Sequence, residues 1–168
     1  MAKKILLTSF DIWMSHQKSN ASDDLLVLSQ DSFNGSVSLL RKLPVYYHLA
    51  PYLAIAKIQE IRPDVVICCG MAEGRQKLAV ESQASSGADV IKTSVDLQQL
   101  VAGLATTEIS HDAGKFVCEA IYYSVLKYLD YCQLPVSCIF VHVPVLTPDN
   151  SPSIVADFVA IVRRLAEQ

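Results

Sequence analysis

The sequence predicts an α/β protein, a three-layer α/β/α sandwich around a mixed, largely parallel sheet, and three observations lead there. Short apolar runs of β type alternate with segments of helical period. Two of the runs, Val65 to Cys69 and Ser137 to Val143, read as buried strands. No linker or internal repeat divides the 168 residues, of which 51% are hydrophobic and 18% charged, so residues 1–168 read as one domain with a sizeable core.

The elements follow in order. Lys4 to Thr8 is a β-type run ending at Ser9-Phe10, and the polar stretch Asp11 to Asn20, with Trp13 and His16, has no regular period. Ser22-Asp23-Asp24 has the composition of a helix N-cap ahead of Leu25, Leu26 and Leu28. Asn34-Gly35 is a turn signal leading to a second strand through Val37, Leu39 and Leu40. From His48 to Ile61, Leu49, Leu53, Ala56 and Ile61 recur at helical spacing, and Arg62-Pro63 stops that helix before the Val65 strand. Leu78, Val80 and Ala84 alternate with polar residues on a further strand that Ser85-Ser86-Gly87 breaks, while Asp89 to Gly103 shows no clear period. Ser110 to Gly114 supplies capping chemistry for a helix from Phe116 to Tyr131, Pro135 introduces the Ser137 to Val143 strand, and Asp149 to Ala166 is a closing amphipathic helix. In such a sandwich, functional residues gather beyond the carboxyl ends of strands.

Several function classes are disfavoured. A net charge of -3 and a pI near 5.7, with no run of like charges, give no reason to expect nucleic acid or an anionic membrane as partner. The apolar stretch after Lys3-Lys4 ends at Ser9 and Asp11, short of a signal-peptide core, and no window approaches the roughly 20 apolar residues of a spanning helix. The expectation is a soluble, cytoplasmic protein. Five cysteines, an odd number without a CxxC pair, read as reduced thiols that mostly fill the core. With no HExxH, paired CxxC or acidic calcium loop, neither a metal nor another cofactor is expected. Gly70 to Arg75 follows a strand as a phosphate loop would, but lacks the GxGxxG pattern and the Walker lysine and serine. High apolar content and the tyrosines Tyr122, Tyr123, Tyr128 and Tyr131 leave room for an exposed patch and a homo-oligomer.

Three residues draw attention for their chemistry. Cys118 lies just after the turn Asp112-Ala113-Gly114 and near a helix start, where free backbone N–H groups favour an anion. Helped by an imidazolium, such a place can lower a thiol pKa to roughly 3.5–7.5. Packing beneath the helix is the commoner fate of a free cysteine. His16, His48, His111 and His142 compete as a base and spacing does not decide among them; His142, leaving a buried strand beside Pro144, reads equally as a satisfied core histidine. Glu81 interrupts an apolar strand, where a carboxylate either faces solvent or orients a histidine.

Longer segments carry a resemblance. LPVYYH at Leu43 to His48, RPDVVICCGMAEGR from Arg62 to Arg75, and then Glu81 resemble the central segment of the pyroglutamyl peptidase I (pyrrolidone-carboxylate peptidase) family. SHDAGKFVC at Ser110 to Cys118 is similar to that family's nucleophile motif and FVHVPVL at Phe140 to Leu146 to its histidine strand. Leu6 to Trp13 with Asn20-Ala21-Ser22 resembles its first strand and following loop. The resemblance spans most of the chain in the order glutamate, cysteine, histidine.

It implies a phosphorylase/hydrolase-like sandwich and a cysteine omega-peptidase that releases an N-terminal pyroglutamyl or similarly blocked residue from a peptide through a thioester acyl-enzyme, without a cofactor. In that family pattern Cys118 is the nucleophile, His142 the base and Glu81 its orienting carboxylate. Phe10, Trp13, Phe116 and Val117 form an apolar slot for a neutral lactam, and the Cys118 N–H serves an oxyanion hole. The chain departs from the pattern in having Met14-Ser15 for paired glycines, Trp13 for a phenylalanine, and Ser82 to Ser86 for Arg-x-Ala-x-Asn. It is also trimmed between Lys92 and Ser110, with Asp89 and Lys92 as rough stand-ins for an Asp-Ala-Arg stretch. Two other classes stand beside this one: a non-catalytic, peptidase-like binding protein with a trimmed pocket, and a nucleotide- or nucleoside-handling α/β protein using Gly70 to Arg75.

Overall fold

A computed structural model describes residues 2–168; Met1, read with Ala2 to Lys4 as the lead-in to the first strand, lies outside the described residues. In chain order the elements are β1 (Ile5–Phe10), α1 (Ala21–Ser29), β2 (Val37–Leu43), α2 (Leu49–Ile61), β3 (Val65–Met71), β4 (Leu78–Glu81), β5 (Gln83–Ser86), β6 (Asp89–Lys92), α3 (Leu97–Val101), β7 (Thr107–Ser110), α4 (Val117–Tyr131), β8 (Ser137–Val143) and α5 (Ser151–Glu167). Among the described residues six strands form one sheet in the order β2-β1-β3-β8-β4-β7, and β5 and β6 make a separate hairpin. Pairs β1–β2, β1–β3 and β3–β8 are parallel, β4 is parallel to β7, and β4 runs antiparallel to β8. The sheet is therefore mixed and mostly parallel, as the alternation of runs indicates.

Strands covered on both faces must be apolar throughout, and β1 and β3 are buried along almost their whole length. Their alternating residues feed two cores. Ile5, Leu7, Ile67 and Val141 pack with Leu25 and Leu26 of α1, Leu100 of α3 and Phe158 of α5. Leu6, Val66, Cys68 and Phe140 pack on the other face with Ala50 and Ala54 of α2 and Ile121, Tyr122 and Val125 of α4. The parallel set β1, β3 and β8 brings Phe10, Met71 and His142 to one edge. There β1 has β2 on one side and β3 on the other, the kind of switch point where an α/β sheet opens a crevice.

Four local expectations are corrected. The N-cap of α1 is Asn20, whose side chain accepts from the Ser22 N–H. Ser22 and Asp23 have capping composition but are buried and committed elsewhere: Ser22 Oγ accepts from the Phe10 N–H at 3.1 Å, and Asp23 accepts from Ser9 Oγ at 2.7 Å and pairs with Arg41 at 2.9 Å. Ala84 is not on the strand of Leu78 and Val80 but on β5. Ser85 and Ser86 continue β5 instead of breaking it, and Gly87, at φ +60°, turns the chain into β6. The tyrosines of α4 do not form an exposed cluster: Tyr122 is fully buried, Tyr123 and Tyr128 pack partly against the core, and Tyr131 is exposed. Among the described residues no helix is long and apolar enough to cross a membrane.

Gly70 of β3 is a position where a side chain has no room. A Cβ there would lie 2.5 Å from Cys118 Sγ and 2.8 Å from Phe140 Cζ. Replacing Gly70 by alanine forces both to move, and such overpacking costs about 1–3 kcal/mol. The expected result is a melting temperature lowered by about 2–10 °C. A melting curve matching the wild type would show that the α4–β3 contact relaxes freely.

Candidate active site

His142 is the penultimate residue of β8 and is paired in register with Gly70 of β3. Its ring leans on Phe140, centroids 4.8 Å apart, and Nδ1 lies 2.7 Å from Glu81 Oε1. An ionised carboxylate can only accept, so Nδ1 carries the proton of this bond and Nε2 of the neutral ring is left as a base. Glu81 ends β4 with no exposure. Because β4 runs against β8, Glu81 stands opposite Phe140, two residues deeper in the sheet than the ring it holds.

A buried carboxylate is costly unless paired and hydrogen-bonded. Glu81 Oε1 also meets Arg75 Nη2 at 3.3 Å, and that nitrogen donates to Ser110 Oγ at 3.0 Å while Arg75 Nη1 reaches Glu108 at 3.4 Å. Oε2 has no hydrogen-bond partner among the described residues. The backbone carbonyl of Glu81 accepts from the Tyr122 hydroxyl at 2.9 Å. Tyr122 is four residues after Cys118 and so on the same face of α4; one helix thus braces the glutamate strand and carries the cysteine.

Cys118 is the second residue of α4, and its sulfur rests 2.5 Å from where a Cβ of Gly70 would be, beside the His142 position on the next strand. The residue keeps some exposure, but the sulfur is packed inward. Burial first, then the neighbouring Cys68 and Glu81 charges, push this thiol from 9.0 up to about 12. The lowered pKa expected at a helix start is therefore not found. First-turn N–H groups favour an anion by roughly 0.3–1 kcal/mol, whereas a rise from 9.0 to about 12 represents on the order of 4 kcal/mol. Burial wins, and the resting thiol is protonated at neutral pH.

These groups open onto a cleft of about 390 Å³. Cys118 and His142 line it, as do all four slot residues nominated from sequence, Phe10, Trp13, Phe116 and Val117, with Glu81 behind His142. Val45, Tyr47 and Met71 complete much of the apolar wall. The three other histidines lie apart from it: His16 pairs with Glu73, His111 with Ser82, and His48 stands at the start of α2. Of the other cysteines, Cys68, Cys69 and Cys138 are buried and Cys132 is exposed.

Sequence reasoning did not find the parts played by Arg75 and Tyr122. The spacing of Tyr122 from Cys118 was the available signal for one; for Arg75 there was none, because its side chain turns back toward β4. Among the described residues no group of three or more His, Cys, Asp and Glu side chains could hold a metal ion.

A family model described as "Pyroglutamyl peptidase" matches residues 3–102 and 94–159. Similar curated proteins include pyrrolidone-carboxylate peptidase 2 of Caldanaerobacter subterraneus subsp. tengcongensis, 29% identical over 178 aligned positions that cover 89% of this chain and 86% of that protein. Pyrrolidone-carboxylate peptidase of a Thermoanaerobacter species is also 29% identical, over 85% of this chain and 83% of its own. Among solved structures, pyroglutamyl peptidase I of Bacillus amyloliquefaciens superposes with a TM-score of 0.85 at 19% identity, over 99% of this chain and 98% of that one. Pyrrolidone carboxyl peptidase of Thermococcus litoralis does so with 0.83 at 19%, over 98% and 93%. At such identities the superpositions speak for the fold.

The protonated state of Cys118 has a kinetic signature. Alkylation by iodoacetamide follows the thiolate fraction, so with the pKa raised to about 12 the Cys118 rate is expected to climb without a plateau between neutral pH and about pH 10. Peptide mapping of the alkylated protein separates Cys118 from exposed Cys132. A rate that levels off near neutrality would show a low-pKa thiolate instead.

Proposed function

The chain belongs to the pyroglutamyl peptidase family, and on that premise we propose that it is a cysteine omega-peptidase releasing an N-terminal pyroglutamyl or similarly blocked residue from peptides. The observation that carries the assignment of roles is the 2.7 Å bond from His142 Nδ1 to the buried Glu81 carboxylate. It fixes the tautomer that leaves Nε2 as a base at a cleft which Cys118 also lines.

In this reading the Cys118 thiol attacks the carbonyl carbon of the blocked residue while its proton passes to His142 Nε2. The C–N bond then breaks, the leaving amine takes that proton, and a thioester remains on Cys118. Water attacks the thioester, giving its proton to the imidazole. The C–S bond breaks, the free acid departs and the thiol is restored. Because the resting thiol is protonated, thiol deprotonation belongs to the reaction itself and is not completed beforehand. The N-cap of α4, Phe116, provides no side-chain acceptor, which supports assigning the Cys118 N–H to the oxyanion.

The polar groups at the cleft favour a neutral substrate ring. Arg75 is engaged by Glu81, Ser110 and Glu108, and the Asn20 amide by the Asp11 carbonyl and Ser22. Among the described residues lining the cleft, Arg75 is the only lysine or arginine and it is already paired, which counts against nucleotide handling. What remains is an apolar wall suited to a lactam. The five cysteines are free, in keeping with a reducing, cytoplasmic location.

Hydrolysis of a fluorogenic pyroglutamyl amide under reducing conditions is expected for the wild type and not for Cys118→Ala. His142→Ala should lose about 10²–10⁴-fold in kcat. If the wild type binds the amide but leaves it intact, a non-catalytic binding protein becomes the better description.

A further inference from the structure

The wall of the slot contributed by residues 11–20, between β1 and α1, has no regular structure and little burial to hold it. Ile12, Trp13 and Met14 are 49%, 53% and 43% exposed, although Trp13 lines the cleft. A segment so exposed gains little from apolar burial, so its shape depends on hydrogen bonds. At its ends, the Asp11 N–H donates to the Leu43 carbonyl at 2.9 Å and Asn20 Nδ2 to the Asp11 carbonyl at 3.1 Å. Those bonds leave the Trp13 region unsecured.

One side chain secures it. Gln17, half-buried among exposed neighbours, accepts at Oε1 from the backbone N–H groups of Trp13 and Met14, at 3.1 and 3.2 Å. Its own N–H donates to the Met14 carbonyl at 3.1 Å. Its Nε2 donates to Glu73 Oε1 at 2.8 Å, and His16 Nε2 lies 3.2 Å from both Glu73 oxygens. Glu73 follows β3 in the turn that leads to Arg75. A glutamine amide is suited to this place because it has an acceptor for two main-chain donors and a donor for a carboxylate.

We propose that Gln17, anchored on Glu73, is a positioning and specificity residue that holds Trp13 against the acyl group of the substrate. This rests on the peptidase reading of the cleft. Gln17 does not reach the reacting atoms, so its effect falls on substrate binding rather than on the chemical step. The position also accounts for how Met14-Ser15, which lack the freedom of paired glycines, keep a tight turn: the turn is closed from within by the Gln17 amide.

The chain has one tryptophan, so Trp13 reports on this loop directly. In Gln17→Ala and Glu73→Ala, Trp13 emission is expected to lose anisotropy without any ligand present. KM for the fluorogenic pyroglutamyl amide should rise about 3- to 10-fold, the scale of one lost hydrogen bond, with kcat within about twofold. Glu73→Gln, which keeps an oxygen to accept from Gln17, should restore both readings. If wild type and Gln17→Ala share the same anisotropy, or anisotropy falls with KM unchanged, or the loss lies in kcat alone, the proposal is overturned while the peptidase reading stands. If the wild type shows no turnover, the peptidase reading fails and the substrate role of Gln17 falls with it, whatever the anisotropy shows.

Discussion

A carboxylate with no solvent exposure sits at the join of the two halves of the sheet, and the surrounding structure is arranged to tolerate it. Glu81 has an imidazole at 2.7 Å, a guanidinium at 3.3 Å and one oxygen without a partner. Removing either partner would leave the buried charge with only the other to compensate it, and breaking a buried pair costs on the order of 3–5 kcal/mol. The register Glu81–Phe140 and Ala79–His142 between antiparallel strands, the turn that returns Arg75 toward β4, and the Tyr122 hydroxyl on the Glu81 carbonyl all act on this one group. Because Tyr122 and Cys118 share a face of α4, the helix that positions the sulfur is itself positioned by the glutamate strand.

The same burial decides the character of the cysteine. A thiol kept protonated by its surroundings is a poorer target for peroxide or for stray disulfides than a standing thiolate, since oxidation follows thiolate character and exposure. A family chemistry built on a cysteine thus coexists with four other free thiols, three of them in the core. The cost is that deprotonation must be achieved during the reaction, which places the demand on His142 and hence on the depth and orientation set by Glu81.

How much of this could be read from the chain depended on the physical signal each part carries. β1, β3 and β8 and the helices α2, α4 and α5 are legible because they are either apolar on both faces or have one apolar stripe. The four-residue strands β5, β6 and β7 are short and largely polar, and β7 pairs with β4 some thirty residues earlier in the chain, so Thr107–Ser110 gave no strand signal and Ala84 was assigned to its neighbour. Cys118, His142 and Glu81 stood out only through segments of family resemblance; each one alone was as well explained as a core or surface residue. Position near a helix start was legible for Cys118, but the depth of its sulfur on Gly70 was not, and depth determined its protonation. Arg75 and Gln17 act by folding back on the chain, which linear spacing does not report.

The order of strands has a bearing on how the molecule comes into being. β8 is the final strand in sequence but the fourth in the sheet, inserted between β3 and β4. Until it docks, β2-β1-β3 and β4-β7 cannot join, and the inner edges of both half-sheets offer unpaired N–H and C=O groups to any other chain. During synthesis this exposure lasts until Ser137–Val143 has emerged, and pairing at such long range is slow to form. The strand that supplies the histidine is thus also the keystone against aggregation, and a translating ribosome that stalls before it leaves a chain in need of a chaperone.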